Sequence, residues 1–429
     1  MPTLRIAEWN RKRVEWPRDV RESFSELALG WKNAGRLNAA PLEWGGTDGQ
    51  ILSVRQWVGV LESGEYRIEI YPKLDAHLLH EGDNISDQTT LLQSLLSMIA
   101  AADYGDWIES GRASLQFEPL QFADVWAYLL GRNLAPLLRQ GVSHAYLTMH
   151  DDLPAVRGKI AVSRQVTLHF NRADKIACIW DEWSADNALN RLLKCALDFL
   201  WKRARHSQSR AVLSECLSLL DSAQSVSPRE ALAQTERFSF SRATLRFQNA
   251  FDLSRRLLSS QSPDFGASGV QNWVFLTDMN ALFESFCAAA LRESGVQNLE
   301  TQFEIGTLFR APNRIRQLPD FLWREGENWQ LGDAKWKLLG QNAPDFAEEN
   351  EEIKAGKAKI SPDDARQMSV YSEIWKRENG LVSAPPVTIF YPLLEGNRAV
   401  IRRTMWNGAE LRLRPVRVKD FGDLDTVLG

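Results

Sequence analysis

The sequence predicts an α/β protein of more than one domain: a β-rich N-terminal block, a mainly helical middle, and a C-terminal domain with a mixed sheet flanked by helices. Three observations carry that expectation. Apolar residues near the N-terminus alternate with the period of two of a half-buried strand. The middle of the chain carries the i, i+3, i+4 spacing of helices, and the last third mixes both patterns. A chain of 429 residues, 44% hydrophobic and 25% charged, is also too long for one small core and too apolar to be disordered.

Taken in order, residues 54–60 and 66–71 read as a hairpin. Ser63, Gly64 and Glu65 supply the turn, and the second strand stops at Pro72. From 87 to 133 the pattern is helical, with Leu91, Leu92, Leu95, Leu96 and Ile99 on one face and Phe122, Val125, Trp126 and Leu129 on another. A polar, turn-bearing stretch at 151–160 precedes a long helix entered through Asn187 and ending near Arg203. Helices continue to about Ser259, with a break at 225–228. The Ser, Gly and Pro of 259–269 mark a domain boundary. The expected domains are therefore 1–75, 76–265 and 266–429. Within the last, a helix at 278–292 leads to strands at 300–309, 320–323 and 329–336. A charged insert at 348–359, a helix at 362–377 and further strands follow.

Composition narrows the function. The most apolar run, 91–102, is too short and too polar to span a bilayer, and the Arg-rich start has no apolar signal core, so a cytoplasmic protein without a membrane is expected. Four scattered cysteines and six scattered histidines offer no disulfide framework or zinc set. A net charge of −4 means that contact with nucleic acid must come from local basic faces. Two candidates are the helix end from Trp201 to Arg210 and the C-terminal run Arg398, Arg402, Arg403, Arg412, Arg414, Arg417 and Lys419. For the first, a cation at a helix C-terminus is an equal explanation; for the second, a solvated edge is the rival. Sixteen tryptophans are spread along the chain, as packing rather than a base-stacking groove requires.

The chemistry concentrates between Asn280 and Tyr371. Pro319-Asp320 opens one expected strand, and Asp333-Ala334-Lys335 closes the next. Alternation points Asp333 and Lys335 to one side, leaves Ala334 only its carbonyl, and lets Asp320 join them if the strands pair. Two carboxylates and a carbonyl form a hard oxygen site suited to Mg²⁺. A lysine beside that ion can orient or help deprotonate a water and offset phosphate charge, as phosphodiester hydrolysis requires. An isolated Asp-x-Lys recurs by chance about once or twice in a chain this long. Here Glu284 stands on the preceding helix, one turn from Asn280, and Gln367 and Tyr371 share a face of the following one.

This order (helix Glu, Pro-Asp, Asp-x-Lys, Gln-x-x-x-Tyr) resembles the PD-(D/E)xK nuclease superfamily in its RecB-like branch. Val58-Gly59-Val60, Tyr71-Pro72-Lys73-Leu74, Arg157-Gly158-Lys159-Ile160, Asn190-Arg191-Leu192-Leu193-Lys194, Asn280-Ala281-Leu282-Phe283-Glu284 and Gly332-Asp333-Ala334-Lys335-Trp336-Lys337 are more specifically similar to the McrC family. These are nuclease subunits of McrBC-type, modification-dependent restriction systems. The resemblance implies a C-terminal PD-(D/E)xK nuclease domain in which Asp320 and Asp333 bind Mg²⁺, Lys335 is catalytic, and Glu284 and Gln367 support them. It implies an arm docking on a McrB-like AAA+ GTPase hexamer and stimulating its GTP hydrolysis. The partner would read modified cytosine in double-stranded DNA. The sequence departs from the family where Ala365 and Arg366 stand before Gln367, in place of an Asp-x-Tyr. No Gly-x-x-x-x-Gly-Lys-Ser/Thr occurs, so nucleotide-driven motion would belong to the partner. Two other readings fit the same residues: a stand-alone RecB-like nuclease of DNA repair or RNA processing, and a non-catalytic adaptor of an AAA+ ring.

Overall fold

The computed structural model describes residues 2–31, 40–74, 122–259 except 173, 272–337 except 310–313 and 327, 360–393 and 400–418, together with Leu92, Leu95, Met98 and Ile99. Apart from those four residues, 87–121 of the helical stretch expected at 87–133 lies outside the described residues, as do the charged insert and the boundary segment after Ser259. The contacts divide the chain into two compact units, 1–119 with 274–429, and 120–273.

The first unit opens with β1 (Thr3–Ala7), β2 (Arg11–Arg13), α1 (Arg18–Trp31), β3 (Leu42–Gly45), β4 (Ile51–Val54), β5 (Trp57–Ser63) and β6 (Tyr66–Tyr71). β5 and β6 form the expected hairpin, with Ser63 opposite Tyr66 and Gly64 supplying the positive φ of the turn. β1 pairs parallel to β6. The sheet order β1-β6-β5-β10 adds β10 (Asn272–Asp278), a strand the sequence reading does not anticipate. β2, β4 and β3 make a second small sheet. Phe24 and Leu27 of α1 and Leu52, Leu61, Ile68 and Ile70 of the strands share one core.

The second unit holds α2 (Phe122–Arg139), β7 (Ala145–Leu153), β8 (Lys159–Ile160), α3 (Val162–Leu168), β9 (Ile176–Ser184), α4 (Ala188–Trp201), α5 (Ser207–Leu219), α6 (Pro228–Gln234) and α7 (Gln248–Ser259). Asn187 caps α4 by accepting from the Asn190 amide, and Ser227 before Pro228 caps α6 after the expected break. To the helices of this middle region the fold adds a sheet the sequence reading does not anticipate, β7-β9-β8. β7 escapes notice because most of it is exposed on both faces, so it carries no apolar alternation. Within the basic helix end, Arg210 serves the unit itself. The Arg210 guanidinium sits 4.0 Å from the centre of the Trp201 ring and donates to the Trp201 and Ala204 carbonyls, capping α4.

After β10 the first unit resumes with α8 (Met279–Glu293), β11 (Gln297–Thr301), β12 (Gly306–Thr307), β13 (Arg316–Gln317), β14 (Phe321–Glu325), β15 (Asn328–Ala334), α9 (Pro362–Glu378), β16 (Val387–Leu393), β17 (Ile401–Thr404) and β18 (Glu410–Arg417). A six-stranded sheet runs β11-β14-β15-β16-β18-β17. β14 and β15 are an antiparallel hairpin; β16 lies parallel to β15, with α9 in the connection between them. The strand expected at 300–309 is instead two short ones, broken at Gln302, whose φ is +54°. One face of the sheet packs Leu322, Leu331, Val387 and Leu413 against Met368, Tyr371, Ile374 and Trp375 of α9. Among the described C-terminal arginines, Arg402 and Arg412 both pair with Glu410, and burial lowers the pKa of Arg414.

Candidate functional site: a carboxylate–lysine cluster at the end of the central hairpin

The hairpin register sets the site. Phe321 lies opposite Gly332, so Asp320, one residue earlier, falls beside Asp333. Along β15, Leu331 and Asp333 share a face by alternation. Leu331 packs in the core that α9 covers, which places Asp333 on the side of Gln367 and Tyr371. Asp333 is almost wholly buried, and the Lys335 ammonium is ion-paired to its Oδ2.

Asp320 is held by donors on both oxygens. The Ala334 amide donates to Oδ2 (2.8 Å), and the Gln302 side-chain amide donates to Oδ1 (3.0 Å). Gln302 also donates to Glu284 Oε1 (2.7 Å), tying the α8 carboxylate to the hairpin. Its backbone N–H donates to the Asp320 carbonyl. The left-handed backbone at Gln302 is uncommon for a residue with a Cβ. That conformation ends β11 and turns the side chain between two acids. Sequence reasoning missed Gln302, because it falls inside the expected strand 300–309 and no local pattern announces a positive φ at glutamine.

On α9 the Gln367 amide donates to the Tyr371 hydroxyl (2.7 Å), which donates to the Leu318 carbonyl (3.2 Å) just before Pro319-Asp320. The two residues thus share a face, as their spacing predicts, and brace the entry to β14. Asp364, in the first turn of α9, is largely buried and takes both oxygens of its carboxylate to Lys337 Nζ at 2.8 and 2.7 Å. Asp364, directly before the departing Ala365 and Arg366, is therefore an acid that anchors the helix to the end of β15.

The charges frustrate one another. Burial, then the neighbouring Asp333 charge, pushes the Asp320 carboxyl up to about 6. Burial raises Asp333 despite Lys335, and burial with Asp320 raises Glu284. Burial works against the Lys335 charge, but Asp333, Asp320 and Asp364 outweigh it and lift its pKa above the ordinary lysine value. Burial and Asp333 push Tyr371 up to about 12, so its hydroxyl stays a donor. Because the folded Asp320 holds a proton that the unfolded chain has released, its ionisation subtracts stability as pH rises from about 4 through about 6. Above that window the site carries more negative charge than its one lysine offsets.

Such an arrangement suits a divalent cation. Among the described residues no three His, Cys, Asp or Glu side chains already converge into a closed cage. Asp320 and Asp333 can supply two oxygens, and an ion that keeps several waters, as Mg²⁺ does, needs no more from the protein. The Ala334 amide, rather than only its carbonyl, serves the site by fixing Asp320.

A mixed sheet bearing paired carboxylates, a lysine and a bridging glutamine at the end of its central hairpin defines an α/β protein with a carboxylate–lysine cluster. The chain belongs to the McrBC 5-methylcytosine restriction system component family, whose model matches residues 52–384. Its fold is similar to that of a chain in an assembly from Thermococcus gammatolerans described as a half-complex of McrB AAA+ hexamers with bound McrC. That chain is 19% identical, with a TM-score of 0.67 over 99% of this chain and 98% of the other. A second Thermococcus gammatolerans McrBC complex contains a chain at 19% identity and a TM-score of 0.46, over 69% of this chain and 88% of that one. No curated protein matches.

Proposed function

We propose that this chain is the McrC-type nuclease subunit of its restriction system, a Mg²⁺-dependent endodeoxyribonuclease with a PD-(D/E)xK domain. It would act with an AAA+ GTPase hexamer whose GTP hydrolysis it stimulates, on double-stranded DNA carrying modified cytosine. The observation that carries the nuclease half is the convergence of Asp320, Asp333 and Lys335 at the end of one hairpin. Asp320 and Asp333 would hold the ion. When bound, Mg²⁺ supplies charge stabilisation at the phosphoryl oxygens and a water acidified toward neutral pH. Lys335, kept cationic by three acids, donates to a phosphate oxygen or orients the water rather than acting as a base. Gln302 keeps Asp320 and Glu284 in register, and Gln367 with Tyr371 holds the strand entry. The test is direct: with the AAA+ subunit, GTP and Mg²⁺, the chain should cut DNA containing 5-methylcytosine and spare unmodified DNA. Cleavage by the chain alone, without GTP, would instead make it a stand-alone nuclease.

Protons and the ion compete for Asp320, which gives a pH signature. At pH 8 a few millimolar Mg²⁺ should raise Tm by about 2–4 °C, and at pH 5 the rise should vanish because Asp320 is then protonated. A scanning-fluorimetry series that shows the same rise at both pH values rules this site out as the binding place.

The partner half draws on the second unit. Helix α3 has no buried residue, yet presents Val162, Val166 and Leu168. Phe170 is 81% exposed and Tyr146 is 71% exposed, with Trp183 beside it. Exposed apolar side chains of this kind support a contact with another protein. Val166→Asp and Phe170→Asp should lower stimulation of the partner's GTP hydrolysis by about tenfold or more, the effect of losing a typical interface anchor. Unchanged stimulation in both variants would place the docking surface elsewhere.

A further inference from the structure

The family-like segments Tyr71-Pro72-Lys73-Leu74 and Gly332-Asp333-Ala334-Lys335-Trp336-Lys337 stand 263 residues apart, counted from Lys73 to Trp336, and meet in the structure. Trp336 follows the site lysine and is almost fully buried. Its indole N–H donates to Glu8 Oε1 at 2.5 Å, and its carbonyl accepts from Lys73 Nζ at 2.6 Å. Glu8 Oε1 also accepts from the Lys73 backbone N–H at 3.1 Å, so one carboxylate joins the end of β1 to the end of β6 and to the tryptophan. Glu8 is itself 1% exposed, a depth at which a carboxylate is costly unless its hydrogen bonds matter. The Trp336 ring packs on Phe283, the neighbour of Glu284 in α8.

The backbone explains why holding Trp336 concerns the site. The Lys337 N–H donates to the Lys335 carbonyl at 2.7 Å, a three-residue turn with Trp336 at its apex. On the near side of that apex Lys335 reaches Asp333, and on the far side Lys337 reaches Asp364. Rotation of the apex would swing both ammonium groups, because this turn has left the β15 ladder that fixes Asp333. After Lys335 donates to the Phe390 carbonyl, the described pairing of β15 with β16 ends, and residues 336 and 337 lie beyond it.

We propose that Glu8 and Lys73 are positioning residues that clamp Trp336 from both ends and thereby aim Lys335 at the scissile phosphate. This rests on the nuclease reading above. Displacements of about 1 Å at a reacting group cost on the order of a hundredfold in rate. The clamp thus makes the N-terminal sheet a working part of the site.

The test uses the full chain with the AAA+ subunit, GTP, Mg²⁺ and 5-methylcytosine DNA. Lys73→Met and Trp336→Phe should lower the single-turnover cleavage rate about 10- to 100-fold. The half-saturating Mg²⁺ concentration (read both from cleavage and from calorimetry with the ion alone), the KM for DNA and the stimulation of GTP hydrolysis should stay within about twofold of wild type. Lys73→Arg, which keeps a donor for the Trp336 carbonyl, should recover most of the rate, and Glu8→Gln should retain more than Glu8→Ala. Wild-type rates in folded Lys73→Met and Trp336→Phe overturn the clamp, as does a rate loss matched by an equal loss of Mg²⁺ binding. If Lys73→Met does not fold, Trp336→Phe decides alone, since it keeps an aromatic side chain against Phe283 while losing the indole N–H and the second ring. Failure of the nuclease reading would look different: Asp333→Ala would then cleave like wild type.

Discussion

Asp333→Ala and Lys335→Ala should each lower DNA cleavage by about three orders of magnitude or more, while the AAA+ partner's GTP hydrolysis is stimulated as by wild type. The reason for the size is that both side chains act where charge develops. Asp333 is the most buried acid of the cluster and sits on the β15 ladder, so no neighbour can swing in to replace it. Lys335 is the ammonium nearest that acid, and it is held charged by three carboxylates. Removing it also leaves Asp333 buried without its counter-charge, so Lys335→Ala should be checked for folding by circular dichroism, whereas Asp333→Ala relieves repulsion with Asp320. Stimulation should survive because the apolar surface assigned to the partner lies in the other unit. If a folded variant loses both activities, the division of labour between the two units is wrong.

Gly59→Ala should be among the most destabilising single substitutions in the chain, by about 3 kcal/mol or more. Gly59 has φ +146°, and a Cβ built there would stand 2.0 Å from the Phe275 carbonyl oxygen and 3.1 Å from the Leu276 Cα. Both obstacles are backbone of β10, so no rotamer change can relieve them; β5 and β10 would have to part. That would open the sheet whose other strands, β1 and β6, lead into Glu8 and Lys73. Thermal melts and hydrogen exchange across β5 and β6 measure the effect, and a Tm within about 2 °C of wild type would contradict this close approach of the strands.

Several parts of the site could be read from the residues. Asp320, Asp333 and Lys335 are assembled by one hairpin, and a hairpin is local: period-two alternation and a turn suffice to predict which side chains meet. Gln367 and Tyr371 are four apart on a helix, so their hydrogen bond follows from helical geometry. Gln302, Glu8 and Lys73 could not be found this way. Each reaches the site across a sheet pairing or a packed face, and none has a neighbour in sequence that signals its partner. The strand β10 was missed for the same reason, since its place depends on β5, more than two hundred residues earlier. The ribbon of β7 and β9 was missed because the mostly exposed β7 leaves no apolar rhythm to reveal the pair.

The sequence by itself determined the α/β character, the hairpin that pairs the two aspartates, the helix that carries glutamine and tyrosine, and a family resemblance that the family match bears out. Only the tertiary structure decided how the acids are restrained and by whom. It placed a glutamine with a left-handed backbone between Glu284 and Asp320, turned Asp364 onto Lys337, and tied Trp336 to Glu8 and Lys73. The physical reason is one of range. Alternation and helical spacing are properties of adjacent residues, whereas burial of a charge and the donors that satisfy it are set by whatever the folded chain brings within about 3 Å.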